Sequence, residues 1–122
     1  MAKKILIIDD EMDMRKMATA RLVKAGYVVI QAGNGNTGLE MVRSEKPDMV
    51  LLDLAMPGID GEEVCRRIKA DETIKHIPVM LFTASILKPI SERAKEMGAD
   101  DFIAKPFDSK ELLEKIKRIV KG

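Results

Sequence analysis

The sequence predicts an α/β fold in which five parallel strands form one sheet with helices on both of its faces. Short apolar runs alternate with longer amphipathic segments along the chain. Most of the runs are continuously apolar, which is typical of strands buried on both faces, whereas half-exposed strands alternate. Glycines and helix-capping residues separate the two kinds of segment at several boundaries.

Five apolar runs mark the predicted strands. They are residues 5–8, 28–30, 49–52, 78–82 and 101–104. Between these runs and after the last one, apolar residues recur at helical spacing, so each of these five segments has one face suited to packing on the sheet. The five faces are Met14, Ala18, Leu22 and Ala25; Leu39 and Val42; Val64 and Ile68; Ile90, Ala94 and Met97; and Leu112, Ile116, Ile119 and Val120. Strands that alternate with helices predict a parallel sheet.

Local start and stop signals agree with this arrangement. Gly26 and Gly98 follow the first and fourth helical segments, where a C′ glycine is expected. Asp60 and Asp108 each stand three residues before a Glu, which is the spacing of a helix N-cap and its partner.

Composition sets limits on what the chain does. The 122 residues fit one domain, which we place at residues 1–122, and a formal net charge of +1 gives no electrostatic drive toward nucleic acid or an anionic membrane. Cys65 is the only cysteine, so no intramolecular disulfide forms, and no apolar run approaches the roughly 20 residues of a membrane span. We therefore expect a cytoplasmic protein.

Chemically active side chains follow the predicted strands, at the edge where ligands bind in parallel sheets. Asp9 and Asp10 come after the first strand, Asp53 after the third, Thr83 after the fourth, and Lys105 after the fifth. Each alone has an ordinary structural explanation, as a turn former, a helix cap or a solvated lysine. Together they place several acids, a hydroxyl and a lysine at one edge.

Carboxylates that crowd together repel one another unless positive charge offsets them. A hard divalent cation offers that charge, and Mg²⁺ typically binds one or two carboxylates, waters and a phosphate oxygen. Lys105 suits a phosphoryl oxygen as a point charge, and Thr83 can donate a hydrogen bond to another. The remaining role is that of a nucleophile, which a carboxylate can fill by forming an aspartyl phosphate.

These residues form a set of motifs that resembles the receiver domain of two-component response regulators. The motifs are Asp9-Asp10-Glu11, the segment 51–61 around Asp53, Thr83-Ala84, and Lys105-Pro106-Phe107. The resemblance covers Lys4 to about Val120, and the motifs occur in family order and at family spacing. It implies a flavodoxin-like, doubly wound sheet with strand order 2-1-3-4-5.

The resemblance also implies a role for each acid. Asp53 resembles the phosphoacceptor of the family. Asp10, Asp53 and the backbone carbonyl of Ala55 resemble its Mg²⁺ ligands, and Asp9 resembles the acid that helps to place the metal, often through water. The cofactor implied is therefore Mg²⁺.

The other implied roles concern the response to phosphorylation. Lys105 resembles the lysine that pairs with the phosphoryl group, Thr83 the switch hydroxyl, and Phe102 the aromatic residue whose rotamer follows it. The implied protein is a phosphoacceptor that assists its own phosphorylation and dephosphorylation, not a conventional enzyme. Its implied partners are an unknown output protein and a histidine kinase or histidine phosphotransfer protein, which docks on the first helix. Helical spacing places Met17 at the edge of the core face of that helix, so it either takes part in this docking or merely flanks the core.

Three other functions share some of these sequence features. A phosphohydrolase of the haloacid-dehalogenase type also uses an aspartate nucleophile and Mg²⁺, but places that aspartate after the first strand in an Asp-x-Asp pattern. A flavodoxin-like cofactor binder wants a phosphate-binding loop after the first strand, where the acids of residues 9–11 repel a phosphate. A degenerate receiver used only for binding is disfavoured because every chemical position is filled.

Overall fold

The computed structural model describes residues 2–83, 90–105 and 107–120, and strands alternate with helices throughout them. The elements are β1 (Lys4–Ile8), α1 (Met12–Lys24), β2 (Val28–Ala32), α2 (Gly35–Glu45), β3 (Met49–Leu52), α3 (Gly61–Ala70), β4 (Val79–Thr83), α4 (Ile90–Met97), β5 (Asp101–Ala104) and α5 (Ser109–Val120). The strands pair in parallel in the order β2-β1-β3-β4-β5. The predicted flavodoxin-like α/β fold is confirmed.

Helices cover both faces of the sheet, so each strand contributes to two separate cores. Along β1, Leu6 and Ile8 belong to a core shared with α2, α3 and α4, whereas Ile5 and Ile7 belong to a core shared with α1 and α5. All four side chains are fully buried. Because successive side chains of a strand point to opposite faces, a strand covered on both sides is apolar throughout. This explains the continuous apolar runs.

The helix ends follow the expected backbone chemistry. Gly26 and Gly98 have φ angles of 99° and 79°, in the left-handed region that favours glycine after a helix. Asp60 caps α3 by accepting a hydrogen bond from the backbone N–H three residues on, at 2.9 Å. Asp108 accepts one from the Lys110 N–H at 3.0 Å, at the start of α5.

One predicted core position is wrong. Ala18 and Leu22 of α1 are fully buried, but Ala25, which we grouped on the same face, is exposed. The helix ends at Lys24 and Ala25 is its C-cap, so the angular spacing of helical residues no longer governs where its side chain points.

The helices of the described ranges are too short, or too polar, to cross a lipid bilayer.

The strand register determines which residues meet at the carboxyl edge of the sheet. Ile8, the last residue of β1, pairs with Leu52, the last residue of β3. The pairing continues for one more step, because the Asp53 N–H donates to the Ile8 carbonyl at 2.9 Å. Asp9 and Asp53 therefore lie next to each other, directly after the ends of β1 and β3, and Lys105 follows β5 at the same edge of the sheet.

Gly61 begins α3 in direct contact with the strand end that carries Asp53. A Cβ atom at Gly61 would overlap the Asp53 carbonyl oxygen and lie 2.6 Å from Leu54 Cα. We expect Gly61→Ala to lower the free energy of unfolding by about 2–4 kcal/mol, because backbone atoms cannot move aside. Urea denaturation followed by far-UV circular dichroism would measure it.

Gly33→Ala is the matched control for this prediction. A Cβ there would first meet the flexible Arg15 guanidinium, at 3.3 Å, so we expect a loss below about 1 kcal/mol. Equal losses of stability in Gly61→Ala and Gly33→Ala would contradict the inference that the close contact of α3 with the strand end requires glycine at position 61.

Candidate functional site

Three aspartates gather at the carboxyl edge of the sheet. Asp9 follows β1 and is fully buried, Asp53 follows β3 and is 3% exposed, and Asp10 is exposed. One carboxylate oxygen from each lies within 4.8 Å of those of the other two, so the three could hold a metal ion together. The structure thus brings together the acids that the sequence singled out.

Backbone N–H groups orient the two buried carboxylates. Asp9 Oδ1 accepts a hydrogen bond from the Glu11 N–H at 2.9 Å, and Asp53 Oδ1 accepts one from the Ala55 N–H at 3.3 Å. Each carboxylate is therefore held by the residue two positions later in its own loop. In both cases the second oxygen, Oδ2, faces Lys105.

The Lys105 ammonium lies between the carboxylates. Its Nζ atom is 2.8 Å from Asp9 Oδ2, 3.4 Å from Asp53 Oδ2 and 3.2 Å from Glu11 Oε1. The lysine side chain is only 8% exposed, so these charges interact in a medium less polar than water. Lys105 is thus the cation that the crowded acids require.

Burial and the neighbouring charges shift the pKa values of both Asp53 and Lys105. Loss of hydration raises the pKa of Asp53 from 3.8 to about 6, although the attraction of Lys105 opposes this shift; the charge of Asp9 adds to it. Burial lowers the pKa of Lys105, but its contacts with Asp9 and Asp53 outweigh that effect and leave the pKa above its ordinary value. At neutral pH the site therefore holds an ammonium beside the Asp53 carboxylate, whose ionisation burial disfavours.

The donor set fits a hard divalent cation. The candidate ligands are carboxylate oxygens, and the buried Asp9 Oδ2 atom is paired with the Lys105 ammonium 2.8 Å away. The cluster holds three negative charges, on Asp9, Asp10 and Asp53, and one positive charge, on Lys105. A divalent ion would reduce this imbalance, and oxygen donors are those that Mg²⁺ prefers.

The other predicted site residues lie around this cluster. Ala55 supplies the backbone N–H that orients Asp53, and its own side chain is exposed. The backbone of Thr83 ends β4 and pairs with Ala104, while its side chain falls outside the described part of the chain, as do Ala84 and Pro106.

Phe102 lies in β5, away from the acid cluster along the strand. Its ring packs at the edge of the core shared with α2, α3 and α4, and the Lys115 ammonium lies 4.8 Å from the ring centroid. Lys115 also donates to the Phe102 carbonyl at 2.7 Å, so α5 restrains this strand.

Two further residues, to which the sequence patterns assigned no role in the site, support it. Glu11 contacts Lys105, and Arg15 donates from Nη1 to the Asp9 carbonyl oxygen at 2.7 Å. Their spacing of four residues, one helical turn, was a signal that both belong to the site-facing end of α1.

Comparisons with known proteins agree with the geometry. Residues 5–117 match the family model described as "Response regulator receiver domain". The chain is 39% identical over 119 residues to the "Phosphate regulon transcriptional regulatory protein PhoB" of Pseudomonas aeruginosa, covering 98% of this chain and 52% of that protein. It spans about half the length of the curated relatives it matches.

Solved structures share the fold over the whole chain. A putative response regulator from Chloroflexus aurantiacus has a TM-score of 0.94 at 32% identity, with 100% of both chains covered. The receiver domain of sensor histidine kinase PA1611 from Pseudomonas aeruginosa has a TM-score of 0.90 at 27% identity, also over 100% of both chains. That structure is described as having a magnesium ion coordinated in its active site cleft.

The raised pKa of Asp53 predicts how this residue affects stability. Between about pH 4 and pH 6 the native state keeps a proton that the unfolded chain releases, so the contribution of Asp53 to stability falls as the pH rises and stays low above pH 6. In EDTA we expect Asp53→Asn to raise the free energy of unfolding by about 1–3 kcal/mol at pH 7.5, and by much less at pH 4.

Urea denaturation at the two pH values would measure this difference. Asp13→Asn, at an exposed position of α1, is the control and should change stability by less than about 0.5 kcal/mol at either pH. If Asp53→Asn were less stable than the wild type at pH 7.5, this would contradict the inference that burying the charged Asp53 carboxylate destabilises the metal-free protein.

Proposed function

The chain belongs to the family of response regulator receiver domains, and on that premise we propose that it accepts a phosphoryl group on Asp53 in a Mg²⁺-dependent reaction. The donor is a histidine kinase or a histidine phosphotransfer protein, and the phosphorylated form controls an output partner. One observation carries the proposal: a buried aspartate at the end of the central strand has two further carboxylates and a buried lysine around it.

Asp53 is the nucleophile in this proposal. Oδ1 is held by the Ala55 N–H, and Oδ2 faces Lys105, so Oδ2 is the oxygen that we expect to attack phosphorus. The new bond joins Oδ2 to phosphorus as the bond from phosphorus to the donor nitrogen breaks, and the donor imidazole leaves with that electron pair. Phosphoryl transfer needs positioning and charge neutralisation more than covalent machinery, which suits so small a site.

Asp10, Asp53 and the Ala55 carbonyl would hold Mg²⁺, with Asp9 helping to place it. When bound, the ion supplies positive charge that lowers the repulsion between the anionic nucleophile and the anionic donor. The acid cluster and the magnesium ion of the PA1611 receiver domain support this assignment.

Lys105 and Thr83 stabilise the phosphoryl group in this proposal. Lys105 already contacts Asp53 Oδ2, so a small displacement brings its ammonium to a phosphoryl oxygen. Thr83 ends the neighbouring strand, and we propose that its hydroxyl moves to the phosphoryl group while the Phe102 ring changes rotamer. Residues 1–122 would then act as a cytoplasmic switch that assists its own phosphorylation and dephosphorylation but turns over no substrate.

Labelling with a small phosphodonor tests the proposed function. With acetyl phosphate and Mg²⁺ at pH 7, we expect the intact mass of the wild-type chain to increase by one acid-stable, base-labile phosphoryl group. EDTA should prevent this labelling, and Asp53→Asn should abolish it, because the amide is not a nucleophile.

Asp60→Asn is the matched control for the nucleophile. Asp60 lies in the loop that follows Asp53, but its carboxylate caps α3, so this variant should label like the wild type. Stoichiometric labelling of Asp53→Asn, or of the wild type in EDTA, would refute the proposed role of Asp53 or of the metal.

The start of α1 is the proposed docking face for the phosphodonor protein. The helix begins directly after the acids, and Met12 and Met17 on it are 57% and 48% exposed. Exposed methionine side chains are flexible and polarizable, which suits an adaptable protein interface. A docked partner would thus cover the apolar side chains beside the reactive carboxylate.

Met17→Glu tests this face. We expect it to slow phosphotransfer from a histidine kinase that phosphorylates the wild type by about tenfold, because it buries a charge at the interface. Labelling by acetyl phosphate should stay within about twofold of the wild type, since a small donor needs no docking surface. Val23→Glu, at a 54% exposed apolar residue in the last turn of α1, should change neither rate. Equal slowing with both donors, or with neither, would contradict the docking role of Met17.

A further inference from the structure

The Lys105 ammonium has an aromatic neighbour as well as its carboxylates. Its Nζ atom lies 5.0 Å from the centroid of the Phe82 ring, and Phe82 is fully buried. A cation within about 6 Å of an aromatic face is attracted by the negative charge density of the ring, and more strongly where both are removed from water. Lys105, with its side chain 8% exposed, meets both conditions.

The fold holds the Phe82 ring in place. Phe82 pairs in register with Ile103, two residues before Lys105, so both strands deliver their side chains to the same part of the sheet. The Phe107 ring packs against Phe82 with centroids 5.4 Å apart and planes tilted by 55°, an arrangement that aromatic pairs favour. The packed Phe82 ring therefore offers a fixed aromatic face to the Lys105 side chain, which would otherwise be free to change rotamer.

The aromatic face matters because the carboxylates around Lys105 favour different positions of its ammonium group. Asp9 and Asp53 are buried, whereas the Glu11 side chain is 61% exposed and lies 3.2 Å from the ammonium. A lysine side chain has many rotamers, and the ion pair with Glu11 favours those nearer to solvent. The aromatic face adds an attraction on the buried side.

We propose that Phe82 is a positioning residue for Lys105: its ring keeps the ammonium beside Asp53 Oδ2, where an incoming phosphoryl oxygen would meet it. This inference rests on the proposed function, since it concerns the rate of phosphoryl transfer to Asp53. Phe82 acts through Lys105 and touches no reacting atom.

A double-mutant cycle tests the proposal. In the full chain with acetyl phosphate and saturating Mg²⁺, Phe82→Leu removes the aromatic face but keeps an apolar side chain, and we expect it to lower the phosphorylation rate about three- to tenfold. In a Lys105→Met background the same substitution should change the rate less than about 1.5-fold, because no ammonium remains to be positioned. Equal slowing in both backgrounds would overturn the proposal, since it would show a packing effect.

Ile103→Val is the matched control, because it trims a buried neighbour of Phe82 without removing a ring. Its rate should stay within about 1.5-fold of the wild type, and a loss as large as that of Phe82→Leu would overturn the proposal. Thermal unfolding of each variant verifies that it is folded at the assay temperature.

A spectroscopic readout separates this inference from the proposed function. In protein with ¹³C-labelled lysine, the ring current of Phe82 should shift the Lys105 εCH₂ protons upfield, and the shift should vanish in Phe82→Leu but persist in Ile103→Val. A wild-type chain that is labelled on Asp53 but lacks this shift would overturn the inference alone. A wild-type chain that shows the shift but is never labelled would overturn the proposed function and, with it, the positioning role.

Discussion

The crowding of Asp9 and Asp53 is the constraint on which the site depends. The pairing of β1 with β3 places both carboxylates at one edge of the sheet, where both are buried. Two buried negative charges oppose folding unless positive charge is held between them. Lys105, which follows β5, supplies that charge through contacts with both carboxylates. Backbone N–H groups orient the two carboxylates, and Arg15 donates to the backbone carbonyl of Asp9. Charged side chains that follow three different strands thus interact with one another at a single site.

This unit links stability to the proposed chemistry. The burial that raises the pKa of Asp53 to about 6 leaves the metal-free site with charge that is poorly compensated at neutral pH. A bound divalent cation would reduce the repulsion between the carboxylates. The free energy that this repulsion costs the metal-free protein therefore favours binding of the ion. In the proposed phosphorylated state, Lys105 would contact a phosphoryl oxygen carried by Asp53, and this contact would couple a change after β3 to Lys105 after β5.

Local patterns predicted much of the fold and most of the acid cluster. Continuous apolar runs located the strands, because a sheet covered on both faces leaves no polar position within them. The rule that ligands gather after parallel strands then selected Asp9, Asp53 and Lys105. The predicted burial of Ala25 was wrong, because the helix ends before this residue and helical periodicity no longer applies there. Thr83 stays a prediction, since its side chain lies beyond the described atoms.

By itself the sequence determined which residues end strands, which begin helices, and which charges reach the carboxyl edge, because spacing along the chain controls all three. The strand order came from the family resemblance. Only the tertiary structure decided the contacts of Lys105: Glu11 lies 94 positions away in sequence, and the Phe82 ring lies 5.0 Å from Nζ. Such distances depend on strand register and on the rotamers that packing allows, and no local pattern encodes either of them.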